Sequence, residues 1–461
     1  MPAAKLLLKR LKPHDNPMYP QFSNKRLIRL LIPLIIEQTI MVVVAFIDAM
    51  MLSSISQDAY AAISLVDVIN LLLMQVFVAI GAGGSIIAAQ YIGKRDRENA
   101  ITTANQTALM LLVFSSAVAL VSLAANHALL KAIYPKVNDS TMAYATQFFA
   151  LSAISYPAYA LYYCGSSLLY AQSNSRSSMV VSFIMNAVKV LLNLLLIRAF
   201  HLGVLGIGLA TLISRLLGVF LVTRILLDKQ AAVHYRRPFT FKLIFAIDRR
   251  IFKVAGPSGV ENFLFNLGKL AIGTIFAGFS SALIAANAAS NTLSGIINIP
   301  GNAINLATVT IISQCAGAKL FDEAQFNAKR MLYLHFAAQG VMGLVMFILA
   351  GSFVNILGLG KEAGEMTVVI VRIYAVLSFL IEPLAFGLPN TLRAAGDNRH
   401  VMYASIFSML LFRVGFSYLL VYVFHLQLHG LWIAMYIDWV VRSAFFVYRF
   451  KSGKWKQHSL V

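Results

Sequence analysis

Charged side chains are scarce in this sequence of 461 residues. Asp, Glu, Lys and Arg together make up 12% of it, whereas hydrophobic residues make up 59% and the mean hydropathy is +0.75. An ordinary soluble domain contains about 25% charged residues, and no soluble core of ordinary size could bury this much apolar surface. The lack of charge therefore excludes a soluble globular protein and indicates an integral membrane protein.

Cysteine and acidic residues are also few. Cys164 and Cys315 fall in different halves, within or at the ends of predicted helices, so neither a disulfide framework nor a metal-ligand set can be read from them. Acidic residues number 18 against 38 Lys and Arg, which gives a net charge of +20. The basic residues are spread over the ends of apolar segments, so no nucleic acid is expected as a partner. No DDxxD-type metal motif is present, which argues against an intramembrane enzyme such as a prenyltransferase.

Twelve apolar stretches are long enough to cross about 30 Å of hydrocarbon as helices. Six lie on each side of the longest polar interruption, residues 228–250. We therefore expect an all-α integral membrane fold of twelve transmembrane helices, built as two pseudo-symmetric six-helix bundles around a central cavity. The predicted spans are 27–53, 59–83, 103–126, 143–164, 175–200, 203–226, 251–278, 284–310, 331–352, 366–388, 400–424 and 428–449. The predicted domains are an N-terminal arm (1–26), an N-lobe (27–226), a linker (227–250), a C-lobe (251–449) and a C-terminal tail (450–461).

The two halves carry matching residues at one fixed offset along the chain. Pairs of Pro, Glu, Gln and Gly at one offset indicate a duplicated structural unit, and duplication in a membrane protein points to transport. The pairs are Pro33/Pro257, Glu37/Glu261, Gln90/Gln314, Gly93/Gly317 and Gly206/Gly430, with the cations Lys189/Arg413 in the same register.

Lys and Arg residues mark alternate loops. They gather in the arm, after the second and eighth predicted spans, in the linker and in the tail, whereas the intervening turns are nearly uncharged. By the positive-inside rule, both termini are predicted to be cytoplasmic, which agrees with an even number of helices.

Ionisable side chains within the predicted spans are functional candidates, because a charge at the bilayer centre costs about 3 kcal/mol on insertion scales. In the first half these are Glu37 and Asp48, eleven residues apart and hence on one helical face, and Asp67 on the next span at a depth similar to that of Asp48. Asp48 is the foremost candidate for a proton or sodium switch. For Asp67, an equally good interpretation is a buried acid that holds helices together.

In the second half the candidates are Glu261, Glu382 and Asp438. Glu261 repeats the position of Glu37, and Glu382 precedes Pro383, whose ring leaves a helix carbonyl free for a ligand. We expect these acids to bind a cationic substrate or a second cation, although Arg442 could neutralise Asp438 from one turn away. Lys189 and Arg413 are predicted to be structural counter-ions.

Glycine and proline interrupt several predicted spans at places where transporter helices often bend. We expect the second span to end near Gly81-Ala82-Gly83-Gly84, the eighth to break at Pro300-Gly301, and the first and seventh to begin at Pro33 and Pro257. For the glycines, close packing of small residues is the alternative interpretation.

Several segments together resemble the multidrug and toxic compound extrusion (MATE) family over about residues 25–450. They are PLIIEQTIMVVVAFIDAMMLS, AAQYIGK, GVLGIGLATLISR, GPSGVE and LRAAGDNRH. The resemblance implies a twelve-helix antiporter of two lobes around a V-shaped cavity, which exports cationic and amphipathic compounds against inward flow of H⁺ or Na⁺.

The resemblance also implies roles for four residues. Asp48 matches the acid of the first helix, Glu261 and Glu382 match the acids of helices 7 and 10 in the NorM-like branch, and Asn193 matches the helix 5 Asn of the DinF-like branch. The Asp that follows this Asn by four residues in the DinF-like pattern is Ile197 here, so that proton site is incomplete. Glu37 is not part of the family pattern and is proposed for ion coupling on its position alone.

The sequence leaves some alternatives open. A lipid-linked precursor flippase of the same superfamily is disfavoured, because fourteen helices and a cationic cavity would be expected. H⁺ and Na⁺ coupling are not distinguished, since a carboxylate serves either ion. We expect no cofactor and no metal apart from a possible Na⁺, small cationic or amphipathic substrates, contact with membrane lipid, a monomer, and a multi-pass location in the bacterial inner membrane.

Overall fold

A computed structural model describes residues 22–53, 55–236, 244–458 and 460–461. Nearly all of these residues are helical, and none of them forms a strand. The prediction of an all-helical fold is therefore confirmed. Most of the predicted arm, up to position 21, and positions 237–243 of the predicted linker lie outside the described residues.

Every predicted span lies on a long helical segment. The helices of the first half are α1 (Asn24–Ser53), α2 (Gln57–Gly93), α3 (Arg97–Ala124), α4 (Asn126–Ile133), α5 (Asp139–Ala171), α6 (Ser175–Leu194) and α7 (Gly203–Leu226). Those of the second half are α8 (Phe245–Gly273), α9 (Ser281–Ile297), α10 (Ile299–Gly317), α11 (Phe321–Ile356), α12 (Lys361–Glu382), α13 (Leu388–Ala395), α14 (Asn398–Ser408), α15 (Phe416–Tyr418) and α16 (Gln427–Lys451). Four wider π-helical turns extend or join them at Leu195–Ala199, Pro383–Gly387, Met409–Gly415 and Leu419–Val423.

Within the described part of the chain, nine helical segments are long and apolar enough to cross a membrane. The pair α9 and α10 meets the same test jointly, with a bend of 49° between the two helices. This break falls at Asn298, directly before Ile299 and Pro300. The predicted interruption of the eighth span is therefore confirmed.

The backbone repeats at the same offset as the sequence. Non-glycine residues with positive φ recur as Arg95 and Lys319, and as His201 and His425. The π-helical turn Leu195–Ala199 recurs as Leu419–Val423. A non-glycine residue with positive φ is uncommon, so its recurrence at the same offset shows that the duplicated unit is structural.

Three predicted helix boundaries are wrong. The second span does not end at the glycines, because α2 continues unbroken to Gly93. A Cβ on Gly84 would lie 2.1 Å from Thr107 Oγ1 of α3, so this glycine permits close helix packing and does not end the helix. Pro33 and Pro257 do not begin their helices either: both lie inside α1 and α8.

The chain forms two compact units. Of the described residues, those within 36–92 and 96–263 form unit 2, and those up to position 35, within 93–95 and from position 264 onward form unit 1. In unit 2, α5 packs extensively against α3 and α7, and α6 packs against α7.

In unit 1, α12 packs against α9 and α11, and aromatic side chains join α12 to α16. Tyr374 of α12 makes edge contacts with Trp432 and Trp439 of α16. These contacts fix α16 beside α12 and so position its ionisable residues.

Candidate functional site

Asp48 is held by two side chains of α6 inside unit 2. Lys189 Nζ lies 2.6 Å from Asp48 Oδ2, and Asn193 Nδ2 donates a hydrogen bond of 3.1 Å to Asp48 Oδ1. The side chains of Lys189 and Asp48 are 23% and 20% exposed, so neither partner of the ion pair is fully buried. Three of the residues that the sequence singles out on α1 and α6 thus form one cluster.

The cluster borders a cavity of about 250 Å³ lined by residues of unit 2. Asp67 of α2 and Arg215 of α7 line the same cavity, together with apolar side chains such as Met74 and Ile207. Two carboxylates and two cations therefore face one small space, and their formal charges cancel. Asp48 and Asp67, for which the sequence predicts a similar depth, line the same cavity.

A hydrogen-bond network connects Asp67 to α5. Asn70 Nδ2 donates to Asp67 Oδ1 at 3.3 Å, and the Tyr156 hydroxyl donates to Asn70 Oδ1 at 2.7 Å. Nearby, Arg215 donates to Ser155 Oγ at 2.6 Å and stacks on the ring of Tyr159, with 4.9 Å from Cζ to the ring centroid. These contacts hold Asp67 on α2 and Arg215 on α7, two of the helices that line the cavity.

Glu37 is buried on the same side of α1 as Asp48. Its Oε1 accepts hydrogen bonds of 2.8 Å from the Tyr170 hydroxyl and 3.2 Å from Ser178 Oγ. Ser178 and Lys189 are eleven residues apart on α6, as Glu37 and Asp48 are on α1, so both acids face α6. Glu37 is 2% exposed and does not line the cavity.

Glu382 of unit 1 meets a histidine. His335 Nε2 of α11 lies 2.6 Å from Glu382 Oε2, and the two side chains are only 1% and 5% exposed. The imidazole ring is confined by glycines of two other helical segments: a Cβ on Gly301 would lie 2.6 Å from Nε2, and one on Gly387 would lie 3.1 Å from Nδ1. His335 is not among the residues that the sequence singles out.

Asp438 is fully buried and surrounded by cations. Its carboxylate lies 3.4 Å from Arg442 Nη2 and 3.8 Å from Arg413 Nη1, and it accepts a hydrogen bond from Ser408 Oγ. The predicted i, i+4 ion pair with Arg442 is present, and the predicted counter-ion Arg413 reaches the same acid. This placement favours a role for Asp438 in neutralising the two arginines over direct contact with a substrate.

Glu261 is buried on α8, in the part of this helix that belongs to unit 2. It is 6% exposed, comparable to Glu37 at the equivalent position of the first repeat. Glu37 and Glu261, which occupy equivalent positions of the two repeats, are thus both buried.

The arrangement can exchange a proton or a small cation but carries no catalytic set. Among the described residues, no group of three or more His, Cys, Asp or Glu side chains could hold a metal ion. Arg215 and His335 are not among the site residues predicted from the sequence. Both are polar residues within apolar segments, and this is the signal that could have found them.

Comparison with known proteins agrees with the duplicated membrane fold. The MatE family model matches residues 33–195 and again 257–419, two ranges related by the same offset as the paired residues of the sequence. The transporter YisQ of Bacillus subtilis (strain 168) is 24% identical over 436 residues, which cover 93% of this chain and 94% of YisQ. A probable multidrug resistance protein NorM of Thermotoga maritima is 21% identical over 442 residues, which cover 95% of this chain and 94% of the NorM sequence.

Solved structures show the same fold. An outward-facing multidrug resistance MATE family transporter of the MOP superfamily superposes with a TM-score of 0.87 at 18% identity, and the match covers 98% of both chains. A MOP superfamily transporter of Pyrococcus furiosus, described as having a binding pocket of reverse polarity, superposes with a TM-score of 0.86 at 17% identity over 98% of this chain and 99% of its own. Because the family model matches two tandem ranges that together cover most of the chain, the protein belongs to the MatE family of multi-pass membrane transporters and is not an enzyme.

Proposed function

We propose that this transporter is a secondary-active antiporter that exports cationic and amphipathic compounds in exchange for H⁺ or Na⁺ by alternating access. The observation that carries the proposal is the ion pair of Asp48 and Lys189 on the wall of the unit 2 cavity. The carboxylate of Asp48 is held by the ammonium of Lys189 and the amide of Asn193, and it can exchange these partners for the coupling ion. The names of relatives such as NorM of Thermotoga maritima support a multidrug substrate range.

The geometry favours H⁺ over Na⁺ as the coupling ion. A sodium ion needs several converging oxygen atoms, and here the ammonium of Lys189 already occupies the position beside Asp48 Oδ2. A proton needs a single carboxylate oxygen, and its arrival removes the charge that holds Lys189. Protonation of Asp48 would therefore free Lys189 and alter the contact between α1 and α6, which is the local change that alternating access requires.

For the substrate, we propose that Glu261 and Glu382 provide negative charge for cationic groups in the second half of the chain. Both acids are buried, and burial strengthens the attraction between a carboxylate and a cation. We further propose that the protein is a monomer without cofactor, that it contacts membrane lipid but no nucleic acid, and that it lies in the bacterial inner membrane with both termini in the cytoplasm.

Ethidium efflux from everted membrane vesicles tests the coupling. A pH gradient without sodium should drive transport by the wild type, whereas a sodium gradient at equal pH should not. Asp48→Asn should abolish the gradient-driven efflux, because an amide keeps the shape of the side chain but exchanges no proton.

The matched control is Asp139→Asn, which removes an exposed carboxylate at the start of α5 away from the cavity. This variant should transport like the wild type. Efflux driven by sodium alone would overturn the choice of H⁺, and wild-type efflux by Asp48→Asn would overturn the antiport site itself.

A further inference from the structure

Three cations of unit 1 surround one aromatic ring within the membrane-spanning helices. The Lys269 ammonium lies 4.9 Å from the centroid of the Phe265 ring, and the guanidinium carbons of Arg413 and Arg442 lie 5.5 and 5.4 Å from it. Lys269 and Phe265 are one turn apart on α8, in the apolar run LFNLGKLAIG. The cations thus converge from α8, from the π-helical turn Met409–Gly415 and from α16.

The carboxylates present do not balance this charge. Asp438 is the acid that faces the cluster, and it is shared between Arg442 at 3.4 Å and Arg413 at 3.8 Å. In the described parts of the chain, no carboxylate lies within ion-pair distance of Lys269, whose ammonium contacts the ring of Phe265. Three formal positive charges against one negative charge leave the cluster with an excess of two.

One of the arginines also has an unused donor. Arg442 is 3% exposed, and its Nε is buried without a hydrogen-bond partner although Nη2 faces Asp438. A buried donor without an acceptor is unfavourable, and it is rare in folded proteins. An additional acceptor is therefore expected at this place.

The equivalent cation in the first repeat is neutralised by an acid. Arg413 corresponds to Lys189 at the offset of the repeat, and Lys189 is neutralised by Asp48 of α1. The counterpart of Asp48 in the second repeat is Ile272, and one turn earlier Lys269 stands at the counterpart of Ala45. The first helix of the second repeat therefore carries a cation one turn before the position at which the first repeat carries an acid.

We propose that Lys269, Arg413 and Arg442 form a binding site for the anionic group of an amphipathic ligand. A carboxylate, sulfonate or phosphate would supply the missing acceptor and the missing negative charge, since guanidinium and ammonium groups bind such oxyanions. Phe265, between the cations, offers an apolar surface for the rest of the ligand. Lys269 is exposed and Arg413 is 15% exposed, so a ligand can reach both.

This site extends the range of transported compounds to zwitterions and amphipathic anions, and it rests on the proposed function only for the step from binding to transport. A zwitterion would bind with its negative group at this cationic site, and its cationic group would remain available to Glu261 or Glu382. The anionic group could belong to a transported compound or to a lipid headgroup, because both present the same oxyanion.

Binding of two rhodamine dyes to the full-length protein tests the site. Tetramethylrhodamine with a free carboxylate and tetramethylrhodamine methyl ester differ by one negative charge and have the same ring system. We would measure both by fluorescence anisotropy in phosphatidylcholine nanodiscs, without any ion gradient. The wild type should bind the free acid at least about tenfold more tightly than the ester, and Lys269→Gln should remove most of this difference while ester binding stays unchanged.

Lys253→Gln is the matched control, since Lys253 is an exposed lysine nearer the beginning of α8. It should bind both dyes as the wild type does. Arg413→Lys, which keeps the charge near Asp438, should retain the fold and weaken binding of the free acid through loss of the planar guanidinium.

Equal binding of the two dyes by the wild type, or an equal loss of both in Lys269→Gln, would overturn the proposal. Added phosphatidylglycerol that displaces the free acid from the wild type would support the site and assign it to a lipid headgroup. If phosphatidylglycerol leaves Lys269-dependent binding of the acid intact, the site is assigned to a transported compound. Because no gradient is applied, a failure of antiport in vesicles leaves these outcomes unaffected.

Discussion

Lys189 and Asp48, 141 residues apart in the chain, form an ion pair of 2.6 Å that joins α6 to α1. Removal of one partner leaves the other as an uncompensated charge at membrane depth. We expect the single variants Lys189→Met and Asp48→Asn each to lower the free energy of unfolding, and the double variant to lose less than the sum of the two. The coupling energy should be about 1–3 kcal/mol, as for charged residues in direct contact.

Unfolding of the four proteins in one detergent would measure this coupling by a double-mutant cycle. A matched cycle on Arg236 and Glu98, which form an exposed ion pair of 3.3 Å, should give less than about 1 kcal/mol. Strict additivity at Lys189 and Asp48 would show that the close approach of the two charges does not stabilise the fold.

His335 depends on the absence of a side chain at Gly301. A Cβ there would lie 2.6 Å from His335 Nε2, the atom that faces Glu382. Gly301→Ala should therefore displace the imidazole and destabilise the protein by about 1–3 kcal/mol, the usual cost of overpacking. Thermal unfolding in detergent would report the loss.

Gly295→Ala provides the control, because Gly295 lies on α9 and a Cβ there would meet nothing within 4 Å. This variant should be as stable as the wild type or gain up to about 1 kcal/mol from the higher helix propensity of alanine. If Gly301→Ala is equally well tolerated, His335 has more room than the structure indicates.

The membrane fold and part of the site could be predicted from the sequence. Apolar length determines where a chain crosses the bilayer, and a charged residue such as Asp48 or Lys189 is conspicuous in an apolar segment. The repeat adds a second constraint, because the recurrence of Lys189 as Arg413 places both cations on equivalent helices. These features are local or periodic, so they can be read along the chain.

The pairing of charges could not be predicted in the same way. That Lys189 meets Asp48 and His335 meets Glu382 depends on the rotation of each helix about its axis, which is set by packing against neighbours far away in sequence. The prediction that α2 ends at its glycines is wrong for a related reason. The local pattern indicates a helix end at Gly84, whereas the role of this residue depends on the approach of Thr107 from α3. Helix ends are likewise poorly determined where a helix continues beyond the apolar stretch, as α2 does to Gly93.

The orientation of the chain can be tested with single cysteines. Lys94, Lys136 and Lys454 are exposed, and the native Cys164 and Cys315 are buried, so the native thiols should not react in the folded protein. In whole cells, an impermeant thiol reagent should label Lys136→Cys and leave Lys94→Cys and Lys454→Cys unlabelled. Permeabilised cells should show labelling at all three positions. Labelling of Lys454→Cys in intact cells would place the C-terminus outside and contradict an even number of spans.

Arg442 should be among the most sensitive positions of unit 1. Asp438 has no exposed surface, and Arg442 approaches its carboxylate more closely than Arg413 does, at 3.4 Å. Arg442→Leu would leave Asp438 with Arg413 alone at 3.8 Å, and loss of one partner of a buried ion pair typically costs about 3–5 kcal/mol. We therefore expect low yield of folded protein or a marked drop in the midpoint of thermal unfolding.

The exposed Arg372 of α12 is the comparison for Arg442. Among the described residues it contacts only Phe347, through the backbone carbonyl and the face of the phenyl ring. Arg372→Leu should change stability by less than about 1 kcal/mol. The double variant Asp438→Asn, Arg442→Leu should be less stable than Arg442→Leu, since it leaves the largely buried Arg413 without the acid that it faces at 3.8 Å. If the double variant is as stable as Arg442→Leu or more stable, the pairing of Asp438 with Arg413 does not stabilise unit 1.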